Sequence, residues 1–382
     1  MKKQDLLKIT SQFDSGNIEV VAINAADDIQ LKICPDGDKR TQNWFYFRLI
    51  GAKDVSCKMK ILNAGESAKA EAWYGYVACA SYDRQTWFRI QTSFENGILT
   101  IEDTPRFNSV FYAYFAPYTY EQHLDLVNAA QLSEHCDLLS AGTTVKGYNI
   151  DCLVVGKTNQ SKKNIWIAAR QHAGETMTAW FVQGLLSRLL DSDDPVGRQL
   201  LQKFVFYVIP NVNIDGSIAG YMKTNSVGVD LNRAWENPNT IKSPEVFHIL
   251  NLMEEKGVDM YIDVHGEEDL PFNFISDIDG IPDYTDKQET IINKLKMNWQ
   301  TIYPDFQTKF GYSTDKQGEA GLKSAARQVG QKFHCISFML KMPFKDNHDL
   351  SDPIFGWSPV RSEKLGASML DAIYSVTDEL LK

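Results

Sequence analysis

The residue types best suited to chemistry in this chain stand in Ala169-Arg170-Gln171-His172-Ala173-Gly174-Glu175-Thr176, where an apolar run over residues 164–168 breaks into a turn. A His and a Glu three positions apart can close on one cation from the same side, the imidazole through nitrogen and the carboxylate through oxygen. A third ligand is offered by Tyr261-Ile262-Asp263-Val264-His265-Gly266, another apolar run that ends on His. Two histidines and a glutamate with one open position make the ligand set of a hydrolytic zinc site. Between them lies Gly228-Val229-Asp230-Leu231-Asn232-Arg233-Ala234-Trp235. Its Arg233 can clamp a carboxylate with two parallel hydrogen bonds, and Asn232 beside it can donate a third. Asp230 is a candidate to hold the outer nitrogen of a ligating His.

These residues need elements to position them. After residues 116–118 the hydrophobic period changes, and Thr119 with Gln122 three positions on marks a capped helix start. Strands are expected at 165–169, 204–209, 260–264 and 335–340. Helices are expected at 176–190, 244–255 and 288–299, with a closing helix carrying Leu365, Met369, Ile373, Val376 and Leu380. Alternating strands and helices build an α/β sheet covered on both faces, and such sheets bind ligands at the carboxyl ends of their strands. His172 and His265 both fall there.

Residues 13–117 read differently. Short alternating, aromatic-rich runs at 17–21, 30–33, 43–50, 56–61, 87–90, 97–101 and 109–115 are separated by Gly, Asp and Asn, the pattern of an antiparallel β-sandwich. The expected organisation is therefore an all-β unit over residues 1–117 followed by an α/β unit over residues 118–382. The strand aromatics are expected in its core.

At 382 residues, 43% hydrophobic and 23% charged, the chain is long enough for a large core and has an ordinary globular composition. A net charge of −10 argues against nucleic acid or an anionic membrane as partner. The charged start Met1-Lys2-Lys3-Gln4-Asp5-Leu6-Leu7-Lys8 breaks up any signal-peptide core, and no run approaches the ~18 apolar residues of a membrane span. Six scattered cysteines without CxxC spacing read as reduced core residues. A cytoplasmic protein is the expectation.

Taken together, the ordered motifs resemble the zinc metallocarboxypeptidases of the carboxypeptidase A type, and within them the cytosolic carboxypeptidase branch. The HxGE pattern falls on His172 to Glu175, the later strand-end His on His265, and the Asn-Arg pair on Asn232-Arg233. Asn213-Ile214-Asp215-Gly216 suits the same branch. So do Phe13-Asp14-Ser15-Gly16-Asn17-Ile18, Ser81-Tyr82-Asp83-Arg84 and Tyr114-Phe115-Ala116-Pro117-Tyr118 in the β-rich part. The resemblance implies a mixed-sheet α/β/α catalytic domain and one zinc per chain on His172, Glu175 and His265. It further implies that Asn232 and Arg233 grip the free C-terminus of a peptide or protein substrate, so that only the last residue is removed. Arg327 falls where the branch places a basic residue for acidic C-terminal side chains.

Two positions depart from the family. Where relatives carry an Arg near the scissile carbonyl, this chain has Lys223, which keeps the charge but loses the planar fork. Where relatives carry the general-base Glu, in a run ending Glu-Met-Pro-Phe-Lys-Asp, this chain reads Leu340-Lys341-Met342-Pro343-Phe344-Lys345-Asp346. A protonated Lys341 cannot take a proton from water. Two functions therefore stand, a zinc carboxypeptidase of impaired activity and a catalytically silent, zinc-bearing module that binds peptide C-termini.

Overall fold

The computed structural model describes residues 7–37, 41–159 and 161–382, so most of the charged N-terminal stretch lies outside the described residues. The first part of the chain forms two five-stranded sheets. One orders β1 (Lys8–Thr10), β4 (Tyr46–Ile50), β10 (Ser109–Ala113), β6 (Cys79–Ser81) and β7 (Phe88–Arg89). The other orders β2 (Glu19–Ala25), β3 (Asp28–Lys32), β5 (Cys57–Ile61), β9 (Ile98–Asp103) and β8 (Thr92–Glu95). Alternation drives the packing: Cys57, Met59 and Ile61 are buried while Lys58 and Lys60 between them are not. Trp44, Phe45, Tyr46 and Phe47 are all buried, as expected of core aromatics.

Not every pair is antiparallel. β3 runs parallel to β5, with Ile29 opposite Met59, because the chain leaves for β4 in the other sheet before returning. Strands β1, β6 and β8 had no clear period in the sequence; they have only three or four residues each.

The rest of the chain builds a seven-stranded sheet in the order β11 (Cys136–Thr143), β12 (Asn149–Val155), β14 (Phe204–Ile209), β13 (Lys163–Ala169), β15 (Met260–Glu267), β17 (Ile336–Pro343), β16 (Phe274–Ser276). The four central strands are parallel and both edges are antiparallel, which makes the sheet mixed. Alternate residues of each strand feed opposite faces. Ile165, Ile167 and Val264 share a core with α2 (Met177–Leu189), α6 (Asp286–Ile302) and α8 (Pro359–Tyr374). Trp166, Ala168 and Tyr261 share the other with α5 (Pro244–Lys256) and α7 (Ala325–Phe333). This is the expected α/β/α arrangement.

The remaining helices are α1 (Tyr120–Ala130), α3 (Pro195–Lys203), α4 (Ile214–Ala219) and α9 (Thr377–Leu380). The capping box at Thr119 and Gln122 is present in both directions. The expected closing helix is in fact two, since α8 ends at Tyr374 and Val376 is the N-cap of α9. The cysteine expectation needs one correction: all six are free, but Cys34 is exposed while the other five are buried. Among the described residues, no helix is long and apolar enough to cross a membrane.

The two parts share one hydrophobic core. Tyr114 stacks on Phe344 with ring centroids 4.6 Å apart, just beyond the end of β17. Arg89 of β7 donates to five carbonyl oxygens, Val77 at 2.7 Å, Phe344 at 2.8 Å, Lys345 at 2.6 Å, Phe355 at 3.2 Å and Trp357 at 2.9 Å.

Candidate metal centre

Strands β13 and β15 lie side by side where the strand order reverses, the place at which open α/β sheets form a crevice. β13 ends at Ala169, and Arg170 then turns the chain with a left-handed φ of 58°. The Arg170 guanidinium is buried and donates to the carbonyls of Ala173 at 3.1 and 3.0 Å and Tyr118 at 2.7 Å, which fixes the turn holding His172. Glu175 follows just ahead of α2, whose N-terminus favours negative charge.

His172, Glu175 and His265 come together. One ligand atom from each lies within 4.8 Å of the others, and all three side chains are buried. Glu175 sits between the imidazoles, its Oε1 2.8 Å from His172 Nδ1 and its Oε2 2.9 Å from His265 Nδ1. The outer nitrogens face carboxylates: His172 Nε2 is 3.1 Å from Asp230 and His265 Nε2 is 3.0 Å from Asp263. For His172 the Asp230 carboxylate can hold a proton on Nε2 and leave Nδ1 free to act as a ligand, the arrangement a metal-binding His needs. Burial alone would lower the His172 pKa, but Glu175 and Asp230 outweigh it and push it up to about 9. Burial likewise works against ionised Glu175, yet the two imidazoles hold it well below the usual carboxylate range. The cluster is thus electrostatically built for a cation, and its donor set fits zinc.

Asp263 was not singled out in the sequence as a partner of His265. The signal was available, since residues two apart on a strand point to one face. Gln171 orients Asp263, donating to it at 2.6 Å while accepting from Trp235 Nε1 at 2.7 Å. Asn213 joins three segments. It caps α4 at Gly216 N (3.0 Å) and donates to the carbonyls of Gln171 (3.0 Å) and Thr224 (3.0 Å).

A cavity of about 490 Å³ opens over the cluster and is lined by the other sequence candidates, Lys223, Asn232, Arg233, Arg327 and Lys341. Lys223 Nζ lies 3.2 Å from Asp230. Burial opposes ionisation of Asp230, but His172 and then Lys223 keep its pKa well below the ordinary range. Arg233 is exposed, with Nη1 donating to the Asn232 carbonyl at 2.8 Å. Asn232 is buried; its Oδ1 accepts from Ala325 N at 2.8 Å and its Nδ2 lies 3.2 Å from His265 Nε2. Arg327 on α7 is ion-paired with Asp315. Lys69 and Lys323 also line the cavity, and neither was picked out from the sequence.

Lys341 stands directly opposite His265 in the β15–β17 register. It is buried, and its Nζ donates to Gly266 O at 3.3 Å and lies 5.8 Å from the Tyr312 ring centroid. Tyr312 in turn hydrogen-bonds Glu267.

Comparison with known proteins agrees with this geometry. A family model described as zinc carboxypeptidase matches residues 120–349, and one described as cytosolic carboxypeptidase N-terminal domain matches residues 9–115. The chain belongs to the zinc carboxypeptidase family. Among solved structures, a putative carboxypeptidase A from Shewanella denitrificans superposes with a TM-score of 0.96 at 45% identity, covering 97% of this chain and 99% of that one. A metallo-carboxypeptidase from Pseudomonas aeruginosa, solved with (2-guanidinoethylmercapto)succinic acid, gives 0.95 at 38% identity over 98% of this chain and 100% of that one. Cytosolic carboxypeptidase 1 of Gallus gallus is 27% identical over 317 residues, 69% of this chain but 25% of that protein. The chain therefore spans about a quarter of that relative's length. Membership in the family makes the protein a metallocarboxypeptidase by class, and the donor cluster is where the family's zinc would be held.

Proposed function

We propose that the protein is a zinc-dependent carboxypeptidase of the cytoplasm that removes single residues from the C-termini of peptides or proteins, with turnover impaired by Lys341. The reading takes residues 1–117 as a β-sandwich unit and residues 118–382 as the catalytic unit. The observation that carries it is the convergence of the His172, Glu175 and His265 donors beside a cavity that His172, Glu175, Arg233 and Lys223 line.

In this reading His172, Glu175 and His265 hold one zinc. When bound, it polarises a carbonyl and acidifies a water. Arg233 receives the terminal carboxylate, with Asn232 beside it supplying an amide hydrogen, and so selects the last peptide bond. Lys223 offers an ammonium to negative charge that develops on the scissile carbonyl oxygen. Lys341 stands in the position where the family's general-base Glu would be, with an amine in place of a carboxylate.

A silent module that binds peptide C-termini is the second reading, and the ammonium of Lys341 in the cavity favours it. Both readings require the carboxylate clamp. Amidating the C-terminus of a peptide should weaken its binding, measured by calorimetry, by about 1.5–3 kcal/mol, the range for hydrogen bonds to a charged group. Equal affinity for free-acid and amidated peptides would remove Arg233 from the site.

A further inference from the structure

The segment that carries Lys223 is held from outside the catalytic sheet. It leaves α4 at Gly220, whose left-handed φ of 72° closes the helix, and runs through Met222, Lys223 and Thr224. Its start is gripped by the β-sandwich. Asn17 Nδ2 donates to Gly220 O at 2.8 Å, and Ser15 N donates to Ile218 O at 3.1 Å. The approach is close enough that a Cβ on Gly220 would stand 2.7 Å from Gly16 O. Asp36, buried and likewise from the sandwich, takes the three amides of Met222, Lys223 and Thr224. Its Oδ1 accepts from Met222 N at 2.8 Å, and its Oδ2 accepts from Lys223 N at 2.7 Å and Thr224 N at 2.9 Å.

The same three residues face the metal-binding turn. Met222 O accepts from Gly174 N at 2.8 Å, and a Cβ on Gly174 would meet Met222 Sδ at 2.7 Å. Thr224 O accepts from Asn213, which also holds Gln171 O. Lys223 Nζ reaches Asp230, the partner of His172. A carboxylate that collects successive backbone N–H groups makes charge-assisted bonds, stronger than neutral ones, and it fixes the backbone rather than any single side chain.

We infer that Asp36 is a positioning residue for Lys223: the β-sandwich, through this carboxylate on the amides of residues 222–224, sets the backbone that presents the Lys223 ammonium to the cavity. The inference rests on the proposed role of Lys223 toward charge on the scissile carbonyl oxygen. It gives the N-terminal unit a part in the chemistry without any contact to substrate.

The test uses the full zinc-loaded chain, its variants and two probes. One probe is a free-acid peptide. The other is the matching phosphinic peptide, whose anionic tetrahedral group imitates the charge that Lys223 would meet. Lys223→Ala and Asp36→Asn should each weaken phosphinic-peptide binding roughly tenfold, the scale of one charge-assisted hydrogen bond. Plain-peptide binding should change less than about twofold in both. The double variant should lose no more than Lys223→Ala alone, because Asp36 acts only through Lys223. Hydrogen exchange at the amides of residues 222–224 should quicken in Asp36→Asn whether or not the protein turns over. Unchanged exchange, or a further loss in the double variant, would overturn the inference. A parent chain that binds the phosphinic peptide no more tightly than the plain one would overturn the carboxypeptidase reading itself, and this inference with it.

Discussion

At the scale of single residues, the candidate metal cluster was legible because both histidines follow apolar runs, where an α/β sheet exposes its strand ends, and Glu175 stands three positions after the first of them. His172, Glu175 and His265 then meet within 4.8 Å. Replacing His265 by Ala should abolish zinc binding, since it removes one of three protein ligands, whereas Cys335→Ser should leave it intact. Metal analysis of the purified variants checks this, and retained zinc in His265→Ala would remove His265 from the ligand set. The supports of the site were less legible. Asp263 stands two residues from His265 on one strand, so the period of β15 announces it. Asp36 does not announce itself. It meets Met222 across 186 residues of chain, and no local pattern encodes a bond of that length. Arg170 is similar: an Arg after a strand reads as solvated, yet here it is buried and its guanidinium binds the turn from within.

At the scale of elements, the central parallel strands and the helices beside them were read within a few residues, while the antiparallel strands β11 and β12 and the short edge strand β16 were not expected. The strand expected at 204–209 is β14, Phe204–Ile209, because both of its faces are covered and every residue is buried. The edge strand β16 has only three residues and escaped notice. Helix α5 carries a pH-sensitive feature in its first turn. Glu245 is buried there, its Oε1 lacks a hydrogen-bond partner and its Oε2 is 3.4 Å from Asn225 Nδ2. Burial, reinforced by the charge of Asp215, pushes its pKa up from 4.5 to about 7. The unfolded chain therefore loses this proton first as pH rises. Glu245 stabilises the fold below pH about 4.5 relative to neutral pH, and that contribution disappears progressively as pH climbs to about 7. Glu245→Gln should flatten this part of the curve, so that its stability advantage over the parent chain grows between those limits and stays constant above them. Denaturant unfolding at a series of pH values measures it, and a difference independent of pH would contradict the assignment.

At the scale of the whole molecule, the β-sandwich and the catalytic sheet are joined by a common core and by Arg89, whose guanidinium serves five carbonyls on both sides of the junction. Arg89→Ala would leave those oxygens without their donor. We expect it to cost about 2–4 kcal/mol, read as a lower denaturant midpoint with an unchanged slope. An effect below 0.5 kcal/mol, the scale of an ordinary surface change, would show that the junction does not depend on it. The junction matters for function because Arg89 grips Phe344 and Lys345 just past the strand that sets Lys341 opposite His265. Lys341 also decides between the enzyme and the silent module. General-base catalysis contributes typically 10²–10⁴-fold, and a carboxylate at 341 would stand where the proton of the attacking water must go. The decisive measurement is kcat for release of the C-terminal residue from free-acid peptides by zinc-loaded parent chain and Lys341→Glu. For the impaired enzyme, kcat should rise about 10²–10⁴-fold with KM nearly unchanged, since Arg233 carries the grip. A folded, zinc-loaded Lys341→Glu that releases nothing from peptides ending in acidic, basic or apolar residues would contradict the enzyme reading and leave the silent binding module in its place.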